Sequence, residues 1–256
     1  MKIPLSLAVF GNNIEIVKLI LEYADDNNIP LDINVENGYG DYPLLLATIM
    51  NNTEMVKLII RYAEKKNIEL EINEKDNFGN NPLLRATLNS ITGIVQLLLN
   101  YASKKDHSKL DINTKYNNGD YPFLLAAVED NIEIALLIMD YATVKGIKLK
   151  IHKKGLNGDY PLLSAVSENN INMVRLIINY ANKYDISLKI NEKNKDEEYP
   201  LLLAALFNNI DMVKLIINYA DNHGILLKIN EKNKYGSYPL LWAISNTNIE
   251  MVELII

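Results

Sequence analysis

The sequence predicts an all-α repeat protein: a solenoid of seven helix-turn-helix units, each followed by a short extended arm and a hairpin. Three observations predict it. Pro4, Pro43, Pro82, Pro122, Pro161, Pro200 and Pro239 recur every 39 residues, with a single step of 40. Tyr-Ala pairs beginning at Tyr23, Tyr62, Tyr101, Tyr141, Tyr180 and Tyr219 keep the same spacing. An alanine stands four residues after each of those prolines, from Ala8 and Ala47 to Ala243. Seven copies in register make residues 1–256 one solenoid, with repeats beginning near 1, 40, 79, 119, 158, 197 and 236 and the last incomplete. The extra residue of the 40-residue step lies between Tyr101 and Asn113, in a loop.

One unit, residues 41–76, justifies each element in order. Gly40 supplies a turn position that tolerates positive φ. Pro43 suits the first position of a helix, where its missing N–H would be unpaired anyway. Leu44, Leu45 and Ala47 give a short apolar face, and the small alanine lets neighbouring helices approach. Asn51 suits the left-handed conformation that ends this helix. Asn52 is a good N-cap for the next one, and Glu54 suits the positive end of its dipole. Met55, Val56, Leu58, Ile59 and Ile60 make a second helix apolar over so much of its surface that it must be buried on several sides. Ile68-Glu69-Leu70-Glu71-Ile72 then alternates with period two, as do Ile147–Ile151 and Ile186–Ile190, which predicts extended arms with Ile and Leu facing inward. Asn73 and Gly79 bracket a polar hairpin that leads to the next proline.

This pattern resembles the ankyrin repeat. The family's Thr-Pro-Leu-His segment appears as Tyr42-Pro43-Leu44-Leu45, its hairpin as Asn73 to Pro82, and the step from Pro43 to Val56 also agrees. The rival fold is an all-helical solenoid of the HEAT type, and the Gly-Asp-Tyr-Pro turns and alternating arms count against it. The family repeat is about 33 residues long. The surplus here falls between the second helix and the hairpin. Tyr and Leu replace the family's Thr and His, so an apolar contact between them, three residues apart, is expected to replace the polar one. Asn81 alone keeps a capping side chain at that position, while Asp41, Asp120, Asp159 and Glu198 favour the helix N-terminus electrostatically.

Composition bounds the function. With 26 basic and 32 acidic side chains the net charge is −6, which argues against a nucleic-acid binder. No cysteine is present, so there is no disulfide framework or thiolate metal site. There is no signal-peptide stretch or membrane-length apolar run, and an intracellular, cytoplasmic protein is expected. His107, His152 and His223 lie in different repeats without metal-ligand spacing, so no metal or cofactor is expected. No phosphate loop or nucleophile elbow occurs, and Gly38-Tyr39-Gly40 is a hairpin tip. Lys145, Lys148, Lys150, Lys153 and Lys154 read as a solvated arm, in contrast to the acidic Asp32, Glu69 and Glu71 earlier in the chain.

The resemblance implies a non-enzymatic scaffold that binds another protein, with no small-molecule substrate, nucleic acid or membrane. In ankyrin proteins the binding edge is the concave groove of hairpin tips and first helices. By register this edge offers Tyr39, Phe78 and Tyr235 at the tips. Along the first helices it offers Ile49, Met50, Arg85, Leu88, Leu206, Phe207 and Trp242. Aromatic, Met and Arg side chains are common interface anchors. The alternative is the recognition arm of a larger enzyme or ubiquitin-ligase adaptor; a structural spacer is a third reading. The chain starts at a first helix and ends inside a second, so it is expected to be a piece of a longer array. The third repeat, with Ser90-Ile91-Thr92-Gly93 in place of an Asn-Asn start, is expected to be the weak joint.

Overall fold

The computed structural model describes residues 2–104 and 109–256, with side chains from residue 4 onward. It is an all-α repeat solenoid, with no strand among the described residues. The first helices of the seven repeats are α1 (Lys2–Phe10), α3 (Pro43–Ile49), α5 (Pro82–Leu88), α7 (Pro122–Val128), α9 (Pro161–Ser167), α11 (Pro200–Leu206) and α13 (Pro239–Ser245). The second helices are α2 (Ile14–Asp26), α4 (Thr53–Lys66), α6 (Thr92–Lys104), α8 (Ile132–Lys145), α10 (Ile171–Lys183), α12 (Ile210–Asn222) and α14 (Ile249–Ile255). The chain divides into two compact units, Met1–Asn117 with Glu133–Leu149, and Asn118–Ile132 with Lys150–Ile256.

Within the first unit α1 packs on α3 and α3 on α5, while α2 packs on α4 and α4 on α6. Within the second, α7, α9, α11 and α13 pack in series, and α10, α12 and α14 do likewise. Each first helix from α3 onward carries its proline at N1 or N2, as the missing N–H allows. Ala47, Ala86, Ala126, Ala165, Ala204 and Ala243 are fully buried, which is where the close helix approach occurs. The second helices α4 and α10 bury a Met-Val pair and the Ile-Ile pair that follows, Met55, Val56, Ile59 and Ile60 in α4 and Met173, Val174, Ile177 and Ile178 in α10.

The Asn-Asn junction works as its chemistry predicts. Asn12, Asn51, Asn169 and Asn208 sit in the left-handed region at φ of 52–54°. The next residue caps: Asn13, Asn52, Asn170, Asn209 and Asn248 each accept from the backbone N–H three residues on. The same cap amides also reach back one repeat. Asn52 Nδ2 donates to Asn12 Oδ1 at 2.6 Å, and Asn209 Nδ2 to Asn169 Oδ1 at 2.7 Å. At the third repeat Ser90 takes the left-handed position, at φ 54°, and Ile91 precedes α6 with no side-chain acceptor to offer. There Asn89 supplies the link instead, donating to Asn51 Oδ1 at 2.7 Å. His107 and part of the loop that holds the one extra residue lie outside the described residues.

The arms alternate in burial but form no strand ladder. Leu70 and Ile72 are buried between exposed Glu69 and Glu71; Leu149 and Ile151 repeat the pattern, and the leading Ile68 and Ile147 are half-buried. An asparagine takes the role of a neighbouring strand. Asn34 Nδ2 donates to Glu69 O at 2.8 Å, while its Oδ1 accepts from Glu71 N at 3.3 Å. Asn73 does the same to Lys109 O and Asp111 N, and Asn191 to Leu226 O and Lys228 N. One side-chain amide thus satisfies a donor and an acceptor that would otherwise need a paired strand.

Candidate functional site

Four of the hairpins are held by an Asx side chain that ties the turn. Asn37 Oδ1 accepts from Tyr39 N at 2.8 Å and from Asp41 N at 3.0 Å, with Gly40 at φ +79°. Asp76, Asn194 and Asn233 repeat this arrangement one residue type at a time. Gly155 occupies the same register in the fourth hairpin. A Cβ there would lie 2.0 Å from Asp120 Oδ1 and 2.6 Å from Leu124 Cδ2, so any larger residue would have to displace both side chains. Asp120 Oδ1 instead accepts from Leu156 N at 3.1 Å. Backbone bonds join successive tips within each unit: Asn77 N to Tyr39 O, Lys195 N to Asn157 O, and Lys234 N to Asp196 O.

Beneath the tips lies a buried row of tyrosines. The rings of Tyr42, Tyr121, Tyr160 and Tyr199 are almost wholly enclosed. Each hydroxyl donates to a carbonyl in the next hairpin: Tyr42 to Glu74 O and Tyr121 to Lys153 O at 3.0 Å, Tyr160 to Glu192 O at 2.9 Å, and Tyr199 to Glu231 O at 2.8 Å. Burial pushes all four phenols well above their ordinary pKa, with nearby carboxylates such as Glu71, Glu192 and Glu231, or Asp120 beside Tyr121, adding to the effect. Asn81 stands in this row as a cap, accepting from Leu84 N at 2.9 Å. A second set of tyrosines accepts bonds from the arms. Tyr101, Tyr141 and Tyr219 hydroxyls receive Leu70 N, Leu110 N and Leu188 N at 2.9–3.2 Å.

An ankyrin-repeat family model, described as ankyrin repeats (3 copies), matches residues 5–109 and 185–256. The chain belongs to the ankyrin-repeat family. The fold is similar to that of the ankyrin repeat domain of Bcl-3, described as a unique member of the IkappaB protein family. That likeness has a TM-score of 0.66 at 18% identity, over 98% of this chain and 97% of that one. It is also similar to EF0377, an ankyrin repeat protein, with a TM-score of 0.62 at 21% identity, over 83% and 95% of the two chains. No curated protein sequence matches the chain. Ankyrin repeats are generally protein–protein interaction modules, and no helix among the described residues is long and apolar enough to cross a membrane.

The expected binding residues of this ankyrin array divide between the two units. In the first, Tyr39 and Phe78 stand on adjacent tips, 65% and 59% exposed. Ile49, Met50 and Leu88 are half-buried at the far ends of α3 and α5, roughly 10 Å of helix away at 1.5 Å per residue. Arg85 is half-buried on α5, with its Nε enclosed and without a partner. In the second unit Tyr235 is 70% exposed, with the Lys234 ammonium 6.0 Å from its ring centre. Trp242 is half-buried on α13. Leu206 is half-buried beside Phe207, which is 41% exposed and borders a cleft of about 490 Å3 with Asn209, Lys214 and Glu250.

No group of three or more His, Cys, Asp or Glu side chains is placed to hold a metal among the described residues. His223 closes α12, its Nδ1 2.8 Å from Tyr219 O and its ring stacked on Tyr219 at 4.0 Å. The lysine cluster is engaged piecewise: Lys145 donates to Ser103 O at 3.3 Å, and Lys154 pairs with Glu192 at 3.1 Å. Sequence reasoning missed a cavity of about 210 Å3 in the second unit, between hairpins and first helices, at Ser164. Its signal was present as a serine where α7 and α11 carry Leu125 and Leu203 in register.

Proposed function

We propose that the chain is a recognition scaffold that grips a partner protein along the tips and first helices, and that it supplies no catalytic step. One observation carries this reading. Tyr39, Phe78 and Tyr235 are large aromatic side chains held in water on turns that Asx bonds have already fixed. Exposed aromatics on a preorganised backbone lose little entropy on docking, which favours binding. The groups with strongly raised pKa values, the buried tyrosines, are already committed to bonds within the stack. The unbroken 39- and 40-residue spacing supports residues 1–256 acting as a single array. Its cysteine-free composition suits a reducing, cytoplasmic setting.

Affinity capture from source-cell lysate with the wild type and with the Tyr39→Ala/Phe78→Ala/Phe207→Ala variant tests the reading. A partner retained by the wild type should lose about 1–3 kcal/mol of binding per true anchor, with the melting transition unchanged. Equal retention by the variant, or its unfolding, refutes the groove assignment. The alternative of a recognition arm within a larger enzyme uses the same face. A captured partner that the same polypeptide or complex then modifies would favour it.

A further inference from the structure

The third residue after each repeat proline varies, as Leu7, Leu46, Arg85, Leu125, Ser164, Leu203 and Trp242, and Ser164 and Leu203 lie beside the hairpin residues Asp159 and Asn194. At Ser164 the side chain is too small to fill the place that leucine fills elsewhere. The resulting cavity of about 210 Å3 is lined by Asp159, Glu168, Asn194, Asp196 and Glu198, with Val128 and Leu203 as its apolar walls. Ser164 is only 5% exposed, and its Oγ has no hydrogen-bond partner. A buried hydroxyl left unpaired costs stability unless something else satisfies it. Its carboxylate neighbours are also short of cations. Asn194 Nδ2 is shared between Asp159 Oδ1 at 2.9 Å and Glu198 Oε2 at 3.1 Å. Lys234 reaches Asp196 at 3.1 Å, while no lysine or arginine pairs with Asp159, Glu168 or Glu198 among the described residues.

We propose that this cavity is a subsite for one arginine side chain in an extended segment of the partner protein; the inference rests on reading the groove as a protein-binding face. The acceptors do not converge in the way a metal ion needs. They are spread around the walls, which suits a planar guanidinium with five N–H donors better than a lysine ammonium with three. The aliphatic stem of the arginine lies against Val128 and Leu203, and the head is ringed by acceptors. The pairing is charge-assisted and directional, so this position would select the register of the bound segment.

The test uses the whole chain and a probe that needs no known partner. N-acetyl-arginine amide is titrated into 15N-labelled protein, with N-acetyl-citrulline amide as the uncharged isostere. The expected result is saturable binding in the millimolar range, with shifts confined to amides of 157–168 and 194–203. Citrulline should give no saturable shift. Raising salt from about 0.05 to about 0.5 M should weaken arginine severalfold. Ser164→Leu, which installs the residue that α7 and α11 carry, should abolish binding while leaving the fold intact. Glu198→Gln, which keeps the bond to Asn194, should weaken it at least about threefold. Citrulline binding as well as arginine, shifts scattered over all carboxylates, or unchanged binding in Ser164→Leu would overturn the proposal. A divalent cation that binds there and excludes the arginine probe would also overturn it. Failure of this probe leaves the tip-aromatic variants to weaken a captured partner as before, so the two readings fail separately.

Discussion

Replacing Tyr160 by phenylalanine isolates the inter-repeat hydroxyl bond from the packing of its ring. The ring is 2% exposed and stays in place, so no cavity larger than one oxygen opens. The hydroxyl has a single proton and two carbonyls within 2.9 Å, Glu192 O and Lys189 O. Lys189 O keeps another donor, Glu192 N at 3.1 Å, so Glu192 O is the group left unpaired. The net loss of one such bond is about 0.5–1.5 kcal/mol, rising to about 1–3 kcal/mol when the orphaned carbonyl stays dry. A loss of about 1–2 kcal/mol is therefore expected, and the same for Tyr121→Phe and Tyr199→Phe, each of which also orphans one carbonyl. Urea unfolding followed by circular dichroism reads it as a lower midpoint at unchanged slope. Tyr39→Phe, on an exposed tip, is the control and should fall within about 0.5 kcal/mol of wild type. If Tyr160→Phe matches the wild type, or the control loses as much, the tyrosine row does not hold the hairpins.

Raised phenol pKa values in the folded state mean that the neutral form is favoured there, so this stabilisation is complete below about pH 10 and is lost as pH climbs above it. The tyrosinate absorbance of the buried row should therefore rise only together with loss of helical circular dichroism; full tyrosinate amplitude in a still-helical protein would contradict the burial. Gly155→Ala should destabilise by about 1–2 kcal/mol, because Asp120 and Leu124 must move and the Asp120 bond to Leu156 N is broken, and a variant as stable as wild type in urea would show that the site is not tight. Amides of α6 should exchange roughly fivefold faster than those of α10, since Ile91 cannot cap as Asn170 does at 2.9 Å from Met173 N; equal or slower exchange in α6 would remove the third repeat as a weak joint.

Most of the frame was legible because its signals are local. Pro at the start of a first helix, Asn-Asn at the junction and an apolar second helix each act within a few residues, and a register of seven copies multiplies them. The cap at Asn81 and the left-handed Asn51 follow from the same short-range chemistry. The tyrosine before the proline was harder. A Tyr–Leu apolar contact is what spacing suggests, whereas the hydroxyl of Tyr42 reaches a carbonyl 32 residues away. The asparagine that substitutes for a strand, such as Asn191 bridging residues 226 and 228, is likewise invisible because its partners are backbone atoms one repeat on. Arg85 and Ser164 could be seen as exceptions in register, but only the fold shows that one has an enclosed, unpaired Nε and the other opens a cavity.

The two kinds of position are connected by where the stacking bonds end. Tyr160, Tyr199, Asn34 and Asn191 all attach to main-chain groups of the adjoining repeat, and a main-chain group is the same whatever side chain it carries. Stacking of this type places few demands on the identity of the residues that receive it. Leu46, Arg85, Ser164 and Trp242 can then occupy one register position without a compensating change in the neighbour's frame residues. The side-chain-to-side-chain links between repeats, such as Asn52 to Asn12 and Asn209 to Asn169, lie at the helix junctions and leave this register position free. Directing the tyrosine and arm-asparagine links to the backbone keeps that part of nearest-neighbour stability, on which a solenoid depends, separate from the surface it presents.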